Sequence, residues 1–107
     1  MIHVAFGPCR VQASGHAGYA PAGQDIVCAG LSALLAAGAE TMAQMEREGL
    51  VRIVPPMKME PGEISLQVQV LRDGERVAGA WELLRTGAAL LQRHYGQWIA
   101  VSSTETD

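Results

Sequence analysis

Ser14-Gly15-His16-Ala17-Gly18-Tyr19-Ala20-Pro21-Ala22-Gly23-Gln24-Asp25-Ile26-Val27-Cys28-Ala29-Gly30 is the stretch in which this chain changes period. Before it the pattern alternates. Arg10, Gln12, Ser14 and His16 share one face, with Val11 and Ala13 on the other, as in a half-buried strand. After it, Val27, Leu31, Leu34, Leu35, Gly38, Met42 and Met45 fall at helical spacing and trace one buried stripe. Between the two, Gly18, Pro21 and Gly23 break any regular structure, so Ala17 to Gln24 reads as a loop. Asp25 suits a helix N-cap, because its carboxylate can accept from the backbone N–H of Val27 or Cys28. A histidine therefore ends a strand, and a cysteine opens a helix, with one short loop between them.

Working outward, Met1 to Phe6 alternates Ile2, Val4 and Phe6 against His3 and Ala5, a second short strand. Gly7-Pro8 turns it into the strand from Arg10 to His16, giving a hairpin. The long helix runs to about Glu48, and Gly49 is a suitable C-terminal cap. Ala29, Gly30, Ala33, Ala36 and Ala37 allow a close neighbour. Leu50 to Val54 is a strand stopped by Pro55-Pro56, and Met57 to Gly62 is a loop or ragged edge. Glu63 to Leu71 is the clearest strand: Ile64, Leu66, Val68 and Val70 alternate with Ser65, Gln67 and Gln69. Asp73-Gly74 leads into a second helix, Glu75 to Tyr95, whose buried positions are Val77, Trp81, Leu84, Ala88, Leu91 and Tyr95. Gly96 ends it. Gln97 to Ser102 is a last strand and Thr104 to Asp107 a polar tail. This order predicts one α+β domain over residues 1–107, a mostly antiparallel sheet with two helices packed on one face.

At 107 residues the core is small, so self-association would help it. The net charge of −3 and the scatter of Lys58 and the arginines lack the concentrated basic patch that direct nucleic-acid binding requires. No apolar run reads as a membrane span, and no basic leader precedes an apolar region. A cytoplasmic protein with Cys9 and Cys28 as reduced thiols is expected. Two cysteines and three histidines on separate elements show no zinc spacing, and no glycine-rich phosphate loop appears. No metal and no cofactor are expected.

Cys28 has two readings. At the opening of a helix, free N–H groups and the positive end of the dipole favour thiolate, which makes a nucleophile. Alternatively it is a small core hydrophobe. His16 is either a general base for that thiol or a solvated histidine at a strand end. The loop must bring its ends together, so the two can meet. Asp25 either orients His16 or caps the helix. The cap is preferred, since a carboxylate so near in sequence hardly also reaches behind the imidazole. Ser32, one turn after Cys28, lines a cleft, bonds back to the Cys28 carbonyl or is a packed small polar residue. Oxyanion donors are sought at the Cys28 N–H and in Gly23–Gln24. Cys9, His3 and His94 belong to no such pattern.

Gly15-His16-Ala17, Gly23, Asp25-Ile26-Val27-Cys28-Ala29 and Ser32 together resemble the signature of the ribosomal-processing cysteine protease family. The resemblance is dense from Gly15 to Ser32 and thin beyond Gly49. It implies a catalytic pair, His16 and Cys28, with Asp25 and Ser32 in support. It implies a mobile substrate loop carrying Gly18, Tyr19, Pro21, Gly23 and Gln24. It further implies a homodimer that removes the N-terminal extension of a bacterial large-subunit ribosomal protein, the twenty-seventh in that subunit's naming. Phage-derived relatives instead point to capsid or scaffold proteins. A non-enzymatic interaction module of the same fold, and a thiol redox protein with Cys9 as the only second cysteine, are the other classes considered.

Overall fold

The computed structural model describes residues 1–21 and 23–106. Ala22, inside the expected loop, and Asp107, at the end of the expected tail, lie outside the described residues. Strand β1 (Ile2–Gly7) and strand β2 (Arg10–Ser14) form the expected hairpin, in register Val4 to Ala13 and Phe6 to Val11. Helix α1 spans Ile26–Arg47. Strands β3 (Val51–Ile53) and β4 (Lys58–Glu60) both pair with β5 (Glu63–Val70). Helix α2 (Gly74–Tyr95) then crosses to β6 (Ile99–Ser103).

The strand order is β3-β5-β2-β1-β6, with β4 also on β5. Every pairing is antiparallel except β1 with β6, because α2 carries the chain across to the far edge and returns it alongside β1. One face of the sheet is apolar. Ile2, Val4 and Phe6 of β1, Val11 and Ala13 of β2, Leu66 of β5 and Ile99 of β6 join the helical stripes in a single core. His3, Gln12 and Ser14 face solvent on the other side. Trp81, Phe6, Leu35 and Met42 are the largest side chains wholly inside. Phe6, Leu35 and Met42 each contribute roughly 1.5–3 kcal/mol over their exposed state. The α+β reading stands.

The two helices meet through alternating glycine and leucine. A Cβ added at Gly38 would lie 2.8 Å from Leu84 Cδ1, one at Gly87 2.8 Å from Leu34 Cδ1, and one at Gly30 3.4 Å from Leu91 Cδ2. Leucines of each helix thus occupy the space that glycines of the other leave open, which draws the backbones together. Gly30, one of the small residues expected to permit this approach, does so, joined by Gly38 and Gly87.

Several boundaries differ from the sequence expectation. β2 stops at Ser14, because Gly15 takes a left-handed φ of 94°. A side chain there would put its Cβ 2.7 Å from the Met1 carbonyl oxygen, so only glycine fits. His16 therefore follows the strand. β4 falls inside the segment read as a loop or ragged edge. α2 begins at Gly74, and Asp73 precedes it with φ 52° and no side-chain capping bond. Finally, α1 is long and apolar enough to cross a membrane by length and composition, with mean hydropathy 1.6, against the expectation that no segment would be. Its alanine-rich outer face carries few charges. Its stripe of Val27, Leu31, Leu35, Met42 and Met45 is spent on the core of this domain.

Candidate active site

Two turns bring the site together. Gly15 donates its N–H to the Gly62 carbonyl at 3.0 Å, so the end of β2 is tied to the β4–β5 turn. Beside this tie the start of α1 leaves a cleft of about 430 Å³. His16, Cys28 and Ser32 line it, together with Met59, Pro61 and Gly62. Leu31, Ala13 and Ile64 make much of it apolar.

Cys28 occupies the first turn of α1. Its Sγ accepts the backbone N–H of Ala17 at 3.4 Å. That donor and the helix N-terminus both stabilise negative charge on sulfur. Ala17 is buried, so the donor is shielded from water.

Asp25 holds this arrangement from below. Its Oδ1 accepts from Val27 N–H and Cys28 N–H, each at 3.0 Å, and its Oδ2 accepts from Tyr19 N–H at 3.1 Å. One carboxylate thus caps the helix and closes the preceding loop. Burial pushes the Asp25 carboxyl up. Hydrogen bonds from the backbone of Cys28, Tyr19 and Ala20, and from the Cys28 thiol, outweigh it and hold the group below the ordinary carboxylate value of 3.8. Among the described residues its hydrogen bonds go to the loop and the helix start, and none goes to His16. Of the two roles weighed for Asp25, this geometry is that of a cap.

The imidazole of His16 lies against the α-carbon of Gly62. A Cβ built there would come within 2.8 Å of Nε2 and 3.1 Å of Cε1. His16 and Cys28 share the cleft, yet no hydrogen bond joins the ring to the sulfur in this structure. Ser32 is exposed on the cleft and makes no bond back to the Cys28 carbonyl.

The loop residues expected to meet substrate sit differently. Gly18, Tyr19, Pro21, Gly23 and Gln24 do not line the cleft. Tyr19 packs edge-on against Trp98 at 4.9 Å and Tyr95 at 5.8 Å, between the end of α2 and the start of β6. Its contact energy is collected from aromatic partners, which draws the loop toward that end of the molecule. Of the expected oxyanion donors, Cys28 N–H and Gln24 N–H are engaged elsewhere. Cys28 N–H is held by Asp25, and Gln24 N–H donates to the Pro21 carbonyl at 2.9 Å.

Sequence reasoning missed the far wall of the cleft. Met59, Pro61 and Gly62 come from a segment read as ragged edge. The available signal was the Pro61-Gly62 dipeptide ahead of the clearest strand, which marks a turn. Gly62, at φ 81°, has the left-handed conformation that the third position of a type II turn demands. Among the described residues, no group of three or more histidine, cysteine, aspartate or glutamate side chains is placed to hold a metal.

Known structures share this fold. The essential ribosomal processing protease Prp from S. aureus, with a covalently linked product peptide, superposes with a TM-score of 0.78. It is 21% identical and the match covers 97% of this chain and 100% of that one. SMU.848 from Streptococcus mutans gives 0.75 at 22% identity, over 100% of this chain and 96% of that one. The S. aureus protease with a substrate peptide gives 0.70 at 18% identity, over 97% and 100%. No curated protein matches the chain. The family profile described as cysteine protease Prp matches residues 1–100, which contain the whole cleft, and the chain belongs to that family of cysteine proteases.

Proposed function

We propose that this protein is an endopeptidase that removes a short N-terminal extension from a bacterial large-subunit ribosomal protein, with Cys28 as nucleophile and His16 as general base. The observation that carries the reading is the setting of Cys28. Its sulfur lies at the start of α1, accepts the Ala17 N–H, and opens onto the same cleft as His16. The processing role draws on the S. aureus relatives, whose structures hold product and substrate peptides.

In this mechanism the neutral imidazole takes the Cys28 thiol proton as the sulfur attacks the scissile carbonyl carbon. The carbonyl oxygen becomes the oxyanion of a tetrahedral adduct. The imidazolium then gives that proton to the leaving amine as the C–N bond breaks. A thioester joins the N-terminal product to Cys28. Water, deprotonated by His16, attacks the thioester; the C–S bond breaks, the acid product leaves and the thiol is restored. The apolar lining of the cleft suits hydrophobic residues on the N-terminal side of the cut.

The same reading makes the protein a cytoplasmic homodimer acting on a peptide rather than on nucleic acid. The net charge of −3 and the dispersed arginines agree with a protein substrate. The test is mass spectrometry of a synthetic peptide spanning the extension and the first residues of the mature ribosomal protein. Cleavage at a single bond is expected. No cleavage of it, with efficient cleavage of a phage scaffold peptide, would replace the ribosomal substrate by the viral one.

A further inference from the structure

Five described glycines have left-handed backbones: Gly15, Gly18, Gly23, Gly49 and Gly62, with φ between 74° and 94°. At Gly18 and Gly23 an added Cβ meets nothing within 4 Å, and at Gly49 it lies 3.6 Å from an arginine nitrogen. These positions need glycine for backbone conformation alone. Gly15 is closed by the Met1 carbonyl. Gly62 is different, because what occupies the space of its missing side chain is the imidazole of His16.

We propose that Gly62 is a positioning residue for His16: its bare α-carbon is one wall of the slot that holds the imidazole in the cleft beside Cys28. The proposal rests on the His16–Cys28 reading and adds to it a residue that no motif marks. Three observations support it. Nε2 and Cε1, the reactive edge of the ring, are the atoms nearest the absent Cβ, at 2.8 and 3.1 Å. The wall is fixed relative to the histidine, since the Gly15 N–H, one residue before His16, bonds the Gly62 carbonyl at 3.0 Å. The turn itself is braced by pairing of Glu60 with Glu63 and Met59 with Ile64. Any Cβ at this position drives the ring outward by about 0.6 Å before ordinary contact at 3.4 Å is restored. Misplacing a catalytic group by such a distance costs roughly 10- to 100-fold in rate.

The competing explanation is that Gly62 serves only the turn, whose φ of 81° excludes most residues. Asparagine separates the two, since it tolerates the left-handed region but carries a Cβ. Gly62→Asn is compared with Gly49→Asn, which makes the same backbone demand away from the cleft. Turnover of the extension peptide and the iodoacetamide alkylation profile of Cys28 against pH are measured for both and for His16→Ala. The expectation for Gly62→Asn is a kcat roughly 10- to 100-fold lower with KM changed less. Its alkylation profile should move part of the way to that of His16→Ala, while Gly49→Asn stays at wild type in both. Wild-type kcat and profile in Gly62→Asn, with a shifted profile in His16→Ala, would overturn the proposal and leave the dyad standing. An unshifted, fully active His16→Ala would remove the dyad and the proposal together. If Gly62→Asn does not fold, the wild type decides: a nuclear Overhauser contact between the His16 ring Hε1 and the Gly62 Hα is expected. Its absence would overturn the proposal.

Discussion

Replacing Asp25 by asparagine and by alanine separates its structural work from any catalytic work. Asparagine caps helices about as well as aspartate, so the two N–H bonds at 3.0 Å from Val27 and Cys28 survive on its carbonyl oxygen. The bond from Tyr19 N–H at 3.1 Å is lost, because the second position becomes a donor. A net hydrogen bond is worth about 0.5–1.5 kcal/mol. Asp25→Asn should therefore cost about 1 kcal/mol. Asp25→Ala also loses the cap, another 0.5–2 kcal/mol or so. In a domain of this size these losses lower Tm by about 4 °C per kcal/mol. Peptide turnover should stay within about tenfold of wild type. An orienting carboxylate changed to its amide loses about 10⁴-fold instead. Thermal melting and turnover are read on the same samples. A wild-type Tm with turnover reduced by about 10⁴-fold would refute the cap reading and make Asp25 a third catalytic member. The acid limb follows from the same bonds. The folded carboxyl titrates below its ordinary value of 3.8. Its stabilisation is therefore present above that value and lost as pH falls through the folded value. Asp25→Asn should flatten the loss of stability in that window, as followed by circular dichroism.

The helix pair gives a matched stability test. Gly79→Ala, where the added Cβ meets nothing within 4 Å, should gain up to about 1 kcal/mol in α2 and raise Tm. Gly38→Ala, whose Cβ would lie 2.8 Å from buried Leu84, should be destabilised by up to about 2 kcal/mol after the helical gain is subtracted; equal Tm changes would contradict the interlocking described above. Tyr19→Ala removes two edge-on aromatic contacts, each worth about 0.5–1.5 kcal/mol. Hydrogen exchange at residues 18–24 should then accelerate, and unchanged exchange would mean that the aromatic cluster does not anchor the loop.

The fold was legible where one period ran uninterrupted. The alternation in β1, β2 and β5 and the stripe from Val27 to Met45 suffice for two helices on one face of a sheet. The strand β4 was not legible, because three residues bracketed by Met57 and Pro61 are too few to show alternation. Its pairing is set by the Pro61-Gly62 turn. The parallel contact of β6 with β1 depends on where α2 lands, which is a tertiary matter. At the site, Cys28 and Asp25 were legible from helix-start chemistry and His16 from the motif around it. Gly62 and Met59 reach the cleft from a distant hairpin, and no local pattern announces that. The apolar character of α1 was misjudged, because small alanines hide a hydropathy that the core uses on only one face.

The central claim is that Cys28 carries the acyl group during peptide cleavage. Rapid acid quench of wild-type protein with the extension peptide, followed by tryptic mapping, measures it directly. The account predicts the N-terminal product attached to Cys28 in wild type and in Cys9→Ala, with neither adduct nor cleavage in Cys28→Ala. Cleavage by Cys28→Ala at the wild-type rate, or an adduct found on Cys9, would contradict it.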